Sequence, residues 1–113
     1  MKALPPEEKA RRIRERDRKR RGRGRVRNKK YVADYKAAHT CIDCPETDPV
    51  CLDFDHRPGT EKKFLISKWC NDGKNIVRLI DEIDKCDVRC SNCHRKRHAR
   101  DGGTKYGPDG KQD

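Results

Sequence analysis

The fold is decided by two short stretches of sequence, Cys41-Ile42-Asp43-Cys44 and Cys90-Ser91-Asn92-Cys93. Two residues between a pair of cysteines let both thiolates reach one tetrahedral Zn²⁺ ion at about 2.3 Å. A single Cys-x-x-Cys pattern also occurs in redox proteins, but two of them in one chain favour a structural Cys₄ zinc site. Cys86 could in principle replace Cys90, although its spacing suits a zinc-binding turn less well. The default interpretation of Cys51, Cys70 and Cys86 is that they are small, partly buried apolar side chains.

The composition indicates that the fold needs a stabilising link such as this zinc site. Only 31% of the 113 residues are hydrophobic and 43% are charged, so the core must be small. Domains with small cores usually depend on disulfides or a structural metal. No apolar stretch approaches the length of a signal-peptide core or a membrane span, which predicts a cytoplasmic, reducing location. There the seven cysteines are expected to hold metal.

The positive charge of the chain is concentrated at its N-terminal end. Residues 1–36 contain 16 Lys and Arg against 5 Asp and Glu, whereas residues 37–113 contain 14 of each. A basic arm binds nucleic acid through its phosphates, so DNA is the expected partner. A solubilising or targeting tail is the alternative, and a membrane surface is disfavoured because the arm offers almost no apolar face. The arm's candidate DNA contacts are Arg20, Arg21, Arg23 and Arg25.

The chain divides into three predicted segments. Residues 1–27 form the basic arm, disordered when free or ordered on DNA, in which Gly22 and Gly24 break any helix and mark a linker. Residues 28–100 form one small α+β domain. Residues 101–113 form a flexible tail.

Hydrophobic periodicity predicts the elements of this domain. Strict alternation over residues 50–56 predicts a strand with one buried face. An apolar stripe over residues 75–84 predicts a helix whose acidic residues, Asp81, Glu82 and Asp84, face solvent. Three further elements are predicted, a helix over 28–38, a strand over 86–90 and a basic helix over 92–100.

Three of the four histidines lie where chemistry can be expected. Asp55 and His56 stand together at the end of the first predicted strand. His94 and His98 are four residues apart and share one helix face, and His94 directly follows a zinc-binding turn. One Asp and one or two His can hold a divalent metal with open sites for phosphate and water, while another His acts as general base. Taken singly, each could instead be structural or part of a DNA-binding helix.

Taken in order, these parts resemble the HNH endonuclease family, in the zinc-containing branch common in bacteriophage genomes. The resemblance covers roughly residues 28–100. It rests on Cys41-x-x-Cys44, on Leu52-Asp53-Phe54-Asp55-His56, and on Cys90-Ser91-Asn92-Cys93-His94-Arg95 with His98. It implies a ββα-metal (His-Me finger) fold made from the two predicted strands and the last helix, with the helix over 75–84 as an insertion.

The resemblance also implies roles for individual residues. His56 resembles the general base that activates water. Asp55 and His94 resemble the ligands of a catalytic divalent metal, usually Mg²⁺ or Mn²⁺, with His98 as a candidate third ligand. The implied activity is hydrolysis of DNA phosphodiester bonds, by nicking or double-strand cleavage, leaving 5′-phosphate and 3′-hydroxyl ends. Candidate phosphate contacts on the last helix are Arg95, Lys96, Arg97 and Arg100.

The chain departs from the family at one position. Many members carry an Asn shortly before the final motif His, where it braces the loop after the first strand, and this chain has Lys85 there. The alternatives to an endonuclease are a non-catalytic Cys₄ zinc module that binds DNA and an accessory protein of phage packaging, replication or transcription. No membrane partner and no small-molecule substrate are expected. The expected location is the cytoplasm of a bacterial host cell.

Overall fold

A computed structural model describes residues 3–101 as a small α+β protein. The described part contains four α-helices and one antiparallel sheet of two strands. Apart from Asp101, the tail predicted over 101–113 lies outside the described residues. In chain order the elements are α1 (Pro6–Ala37), a 3₁₀ turn (Pro49–Cys51), β1 (Leu52–His56), α2 (Ile66–Asn71), α3 (Ile76–Ile83), β2 (Cys86–Cys90) and α4 (Ser91–Arg100). Among the described residues, no helix is both long and apolar enough to span a membrane.

The N-terminal arm is helical, and the prediction that Gly22 and Gly24 break a helix is wrong. α1 runs without interruption for 32 residues, across the boundary expected after residue 27, which gives it a length of about 48 Å. Pro6 occupies the first turn, where a missing N–H costs nothing, and Glu7 and Glu8 lie at the positive end of the helix dipole. Ion pairs between residues three or four apart support the rest, such as Arg11–Glu8 at 2.7 Å.

Gly24 lies inside α1 at the point where the rest of the protein packs most closely against the helix. A Cβ atom at Gly24 would lie 2.2 Å from the carbonyl oxygen of Gly73, so only a hydrogen fits there. Gly73 itself has a φ of +67°, a conformation that favours glycine. One turn further on, the buried Asn28 donates from Nδ2 to the carbonyl of Lys74 at 2.8 Å. The glycine therefore marks a close contact between α1 and the turn after α2.

The two strands pair in a register that puts Leu52 opposite Cys90 and His56 opposite Cys86. β2 has the bounds predicted from the sequence, but β1 begins at Leu52 rather than at residue 50. Val50 lies in the 3₁₀ turn and is 90% exposed. Pro49 explains the difference, because it supplies no N–H for a ladder and suits the first position of a turn.

The core is small and centres on the sheet and α3. Leu79 and Ile83 of α3 are fully buried with Leu52 and Phe54 of β1. The predicted helix is confirmed, with Asn75 as its N-cap accepting from the backbone N–H of residues 77 and 78. The prediction that all its acidic residues face solvent is wrong for Glu82, which is only 2% exposed.

Candidate metal centres

The four cysteines of the two Cys-x-x-Cys turns form one cluster. Their Sγ atoms all lie within 4.8 Å of one another, and the Cys44 and Cys90 sulfurs are 3.7 Å apart. Sulfurs bound tetrahedrally to zinc at 2.3 Å lie about 3.8 Å apart, so the cluster fits a Zn²⁺ ion. The cluster contains Cys90 and not Cys86, which settles the alternative that the sequence left open.

The cysteine cluster joins two parts of the chain that are distant in sequence. One turn follows α1 and is held by a hydrogen bond from the Ile42 N–H to the Val88 carbonyl of β2 at 2.9 Å. The other turn runs from the end of β2 into α4, where the Cys90 sulfur accepts from the Cys93 N–H. A metal ion here would therefore fix the start of α4 against the sheet.

Two thiols in this cluster have pKa values that are shifted in opposite directions. Burial disfavours the Cys41 thiolate, but backbone N–H groups at residues 43, 44 and 90 outweigh it and lower the pKa of Cys41 to about 7. The Cys90 sulfur, burial and the other neighbouring sulfurs raise the pKa of Cys93 to about 12. Four thiolates cannot share so small a volume unless a cation balances their charge, which is the chemistry that a structural zinc supplies.

A second cluster lies between the sheet and α4. It consists of Asp55, His94 and His98, whose ligand atoms all lie within 4.8 Å of one another. Asp55 Oδ1 is 3.4 Å from His94 Nε2 and 3.6 Å from His98 Nε2. The helical spacing puts both imidazoles on one face, and the register of β1 brings the carboxylate to them. These are the three residues for which the sequence predicted a shared metal.

Asp53 orients the first of these histidines and was not predicted. His94 is buried, and its Nδ1 lies 3.4 Å from Asp53 Oδ2, so its Nε2 points towards Asp55. Burial lowers the pKa of His94, but the contacts with Asp53 and Asp55 outweigh it and raise that pKa to about 9. A carboxylate on the far nitrogen is the usual support of a metal-binding histidine. The signal was present in the sequence, because Asp53 and Asp55 alternate onto one face of β1.

Two arginines share the Asp55 carboxylate. Arg97 of α4 binds both of its oxygens in bidentate fashion, and Arg89 of β2 donates to Oδ2 at 3.0 Å. Burial opposes ionisation of Asp55, but the hydrogen bonds from His94 and Arg97 hold its pKa well below the usual value. Asp55 is therefore a buried, ionised carboxylate among cationic groups, and Arg97 points inward to it.

The second cluster fits a divalent cation in donor type and spacing. Donor atoms at 2.0–2.2 Å from one ion lie about 3.0–3.6 Å apart, and the distances from Asp55 to the two histidines are 3.4 and 3.6 Å. One carboxylate and two imidazoles suit Mn²⁺ or Zn²⁺ better than Mg²⁺, which prefers oxygen ligands. A bound ion would share Asp55 with the arginines and displace the proton of His94.

His56 is held by Glu82 of α3. Its Nε2 lies 2.8 Å from Oε2 of Glu82. The same oxygen accepts from the Lys63 N–H at 3.0 Å, and Oε1 accepts from Lys85 Nζ at 2.9 Å. Burial opposes ionisation of Glu82, but Lys85, the Lys63 N–H and His56 lower its pKa. Sequence periodicity gave no signal for this contact, because Glu82 looked like one of several solvent-facing acids.

Lys85 contacts the loop that follows β1. In many members of the family that the sequence resembles, an Asn at this position braces that loop. The Lys85 ammonium donates to the Glu61 carbonyl at 2.9 Å as well as to Glu82, and its own carbonyl accepts from the Arg57 N–H at 2.9 Å. Arg57 adds a bond from Nη1 to the Cys86 carbonyl at 3.0 Å. The loop is therefore tied to the start of β2 by a lysine and an arginine.

The predicted DNA contacts divide into two groups. Arg95, Lys96 and Arg100 are exposed on α4, whereas Arg97 is held on Asp55. The arm arginines are all exposed on α1, namely Arg20, Arg21, Arg23 and Arg25. Seven of the eight predicted DNA contacts are therefore exposed cations, four on α1 and three on α4.

Comparison of the chain with known proteins gives no assignment. No family model, no curated protein and no solved structure matches it. The functional conclusion therefore depends on the chemistry of the two clusters and the residues around them.

Proposed function

We propose that this chain is a metal-dependent endonuclease of the HNH type that hydrolyses DNA phosphodiester bonds. The observation that carries the proposal is the second cluster: the Asp55, His94 and His98 ligand atoms lie within 4.8 Å of one another, with His56 adjacent in the same strand. These are the positions at which the sequence resembles the family. The Cys₄ cluster at the start of α4 supports it by fixing the helix that carries both histidines.

His56 is suited to take a proton from water because Glu82 fixes its tautomer. The ionised Glu82 carboxylate can only accept a hydrogen bond, so His56 Nε2 carries the hydrogen at their 2.8 Å contact. Nδ1 is then the basic nitrogen of the ring. An imidazole oriented in this way through one nitrogen is a common general base in hydrolytic sites.

Asp55, His94 and His98 would hold the divalent ion, and Asp53 would keep the His94 ring oriented. When bound, the ion supplies positive charge beside the phosphate and the departing 3′ oxygen. The donor set leads us to expect stronger activity with Mn²⁺ than with Mg²⁺. The expected products carry 5′-phosphate and 3′-hydroxyl ends.

Cations on two helices would bind the DNA backbone. Arg95, Lys96 and Arg100 lie exposed on α4, the helix that carries the two histidines. α1 adds a long basic surface, because it contains most of the 16 Lys and Arg found in the first 36 residues of the chain. Such contacts neutralise phosphates and carry no sequence information of their own.

The test is cleavage of supercoiled plasmid by the zinc-loaded chain with Mn²⁺ or Mg²⁺ and with EDTA. We expect nicked or linear product that requires the added ion, and His56→Ala should lower the rate by a factor of about 10²–10⁴. His39→Ala is the matched control, because His39 is exposed and stacks on Tyr35 of α1. Cleavage by His56→Ala at the wild-type rate would show that His56 is not the base.

One observation favours a second candidate, a non-catalytic zinc module that binds DNA. Asp55 is held by Arg97 and Arg89, as in a purely structural ion pair. In that case the wild-type chain binds duplex DNA tightly but leaves the plasmid intact with every divalent ion. Tight binding without cleavage would replace the endonuclease proposal with this one.

A further inference from the structure

We propose that Arg97 occupies Asp55 in competition with the divalent cation, and that metal loading releases Arg97 to bind a DNA phosphate. This inference rests on the proposed function, because it uses the same metal cluster. It assigns Arg97 a second position and makes its contribution to DNA binding depend on the metal.

The contact geometry identifies Arg97 as the competitor. Its Nε and Nη2 donate to the two oxygens of Asp55, and Nη2 also reaches the His56 carbonyl at 3.3 Å. One of those oxygens, Oδ1, is the atom that lies 3.4 Å from His94 Nε2. A cation bound between Asp55 and the histidines would therefore meet the guanidinium at the same carboxylate oxygen.

Arg89 touches the same carboxylate but is held in place by other groups. It donates to Asp43 beside the first cysteine turn at 2.7 Å and lies 3.4 Å from Asp87 on its own strand. Its single hydrogen bond to Asp55 goes to Oδ2 and not to Oδ1, the oxygen that lies beside His94. Within the described part of the chain, Arg97 makes one other carboxylate contact, with Asp101 at the end of α4, at 2.9 Å. Arg97 is thus the arginine that can leave.

A DNA phosphate offers Arg97 an equivalent partner. Guanidinium groups bind carboxylates and phosphates in the same bidentate geometry. Arg97 lies on α4 among the exposed Arg95, Lys96 and Arg100, one turn or less from each. Once a divalent cation balances Asp55, repulsion between that cation and the guanidinium favours the move to phosphate.

The first experiment measures Mn²⁺ binding to the zinc-loaded full chain by calorimetry without DNA. We expect Arg97→Gln to bind Mn²⁺ about tenfold more tightly than wild type, because a charge-assisted competitor has been removed. Arg97→Lys keeps the charge but loses the bidentate contact, and should lie between the two. Arg95→Gln removes the same charge from the exposed face of α4 and should leave Mn²⁺ affinity unchanged.

The second experiment measures binding of a duplex oligonucleotide in a His56→Ala background, with and without Mn²⁺. We expect Arg97→Gln to weaken DNA binding only when Mn²⁺ is present, and Arg95→Gln to weaken it under both conditions. Equal weakening by Arg97→Gln with and without Mn²⁺ would overturn the exchange, and so would an unchanged Mn²⁺ affinity in both Arg97 variants.

The two proposals fail in different ways. If the plasmid is cut but neither Arg97 variant alters Mn²⁺ affinity, the exchange is wrong and the endonuclease stands. If Mn²⁺ binds, Asp55→Ala abolishes that binding and the Arg97 variants behave as expected, but no DNA is cut, the exchange stands and the endonuclease falls. Mn²⁺ binding that Asp55→Ala leaves intact contradicts both.

Discussion

At the scale of single residues, Glu82 makes several contacts in the candidate site that no sequence pattern predicted. It is 2% exposed and contacts the candidate general base, the backbone of the β1 loop and Lys85. A buried carboxylate is tolerated only when its oxygens are paired, and all three partners are present. Glu82 therefore links the position of His56 to the packing of α3.

The first prediction concerns the pH dependence of stability at this residue. The folded-state pKa of Glu82 is lowered, so its carboxylate stabilises the fold above the usual carboxyl range and that contribution is lost as the pH falls through and below it. We expect Glu82→Gln to be clearly less stable than wild type at pH 7 in urea unfolding, with the difference shrinking towards pH 3. Asp81→Asn, an exposed neighbour, is the control. A difference that stays constant with pH would contradict the assignment.

Asp53 and Asp55 show which residues of the site could be located from the sequence. Alternation on β1 places both carboxylates on one face, and spacing on α4 places His94 and His98 on one face. Those rules place Asp55, His94 and His98 close together, and the structure has their ligand atoms within 4.8 Å of one another. They could not give the bidentate pair of Arg97 with Asp55, because nothing in local spacing says whether an arginine on α4 points to solvent or to the sheet.

At the scale of elements, a tertiary contact accounts for one of the glycines inside α1. Glycine in a helix interior is unfavourable by roughly 0.5–1 kcal/mol relative to alanine. Gly24 nevertheless lies in the helix, and only glycine fits there, because the carbonyl of Gly73 leaves no room for a Cβ atom. Gly22 has open space around it and no comparable contact.

The second prediction compares these two glycines. Gly22→Ala should stabilise the protein by roughly 0.5–1 kcal/mol, since alanine is the better helix former and meets nothing. Gly24→Ala should destabilise it by about 1–3 kcal/mol, because its methyl group would overlap the Gly73 backbone. Denaturant unfolding of both variants measures the two changes. Stabilisation by both would show that α1 does not pack on this turn.

The third prediction concerns how much of α1 belongs to the folded body. Gly24 and Asn28 are buried against residues 73–74, so the arm that can be removed is shorter than the 27 residues expected from the sequence. We expect removal of residues 1–19 to preserve the unfolding temperature while weakening DNA binding and its dependence on salt. Removal of residues 1–27 should in addition lower that temperature. Equal stability of the two truncations would contradict this boundary.

At the scale of the whole molecule, the cysteine cluster links two parts of the chain that are distant in sequence. It joins the loop after α1 to the junction of β2 and α4, across a core made of few apolar residues. Small domains of this kind depend on such a link for most of their stability. A metal bound there would also fix α4, and with it the two histidines of the second cluster.

The fourth prediction follows from that dependence. Metal analysis should find about one tightly bound zinc per chain, and a strong chelator should unfold the protein. Cys44→Ser should lose the zinc and the fold together. Cys51→Ser should keep both, because Cys51 lies in the 3₁₀ turn outside the cluster. A folded, zinc-free wild-type chain would contradict the role of the cluster.

The sequence by itself determined the features that depend on local spacing. The two Cys-x-x-Cys turns, the strand at 86–90, the helix predicted over 75–84 and the shared face of His94 and His98 all follow from periods of two to four residues. The described structure has each of them, with the helix over Ile76–Ile83. The Cys₄ cluster was predictable because one ion imposes one geometry on its ligands.

Only the tertiary structure decided which polar groups meet across elements. It turned Glu82 inward to His56, placed Arg97 and Arg89 on Asp55, and extended α1 through Gly24. These outcomes depend on burial and on partners more than ten residues away, and a buried charge is stable only where such partners are present. The sequence therefore supplied the ligands of the two candidate metal centres, and the fold supplied the groups that orient them.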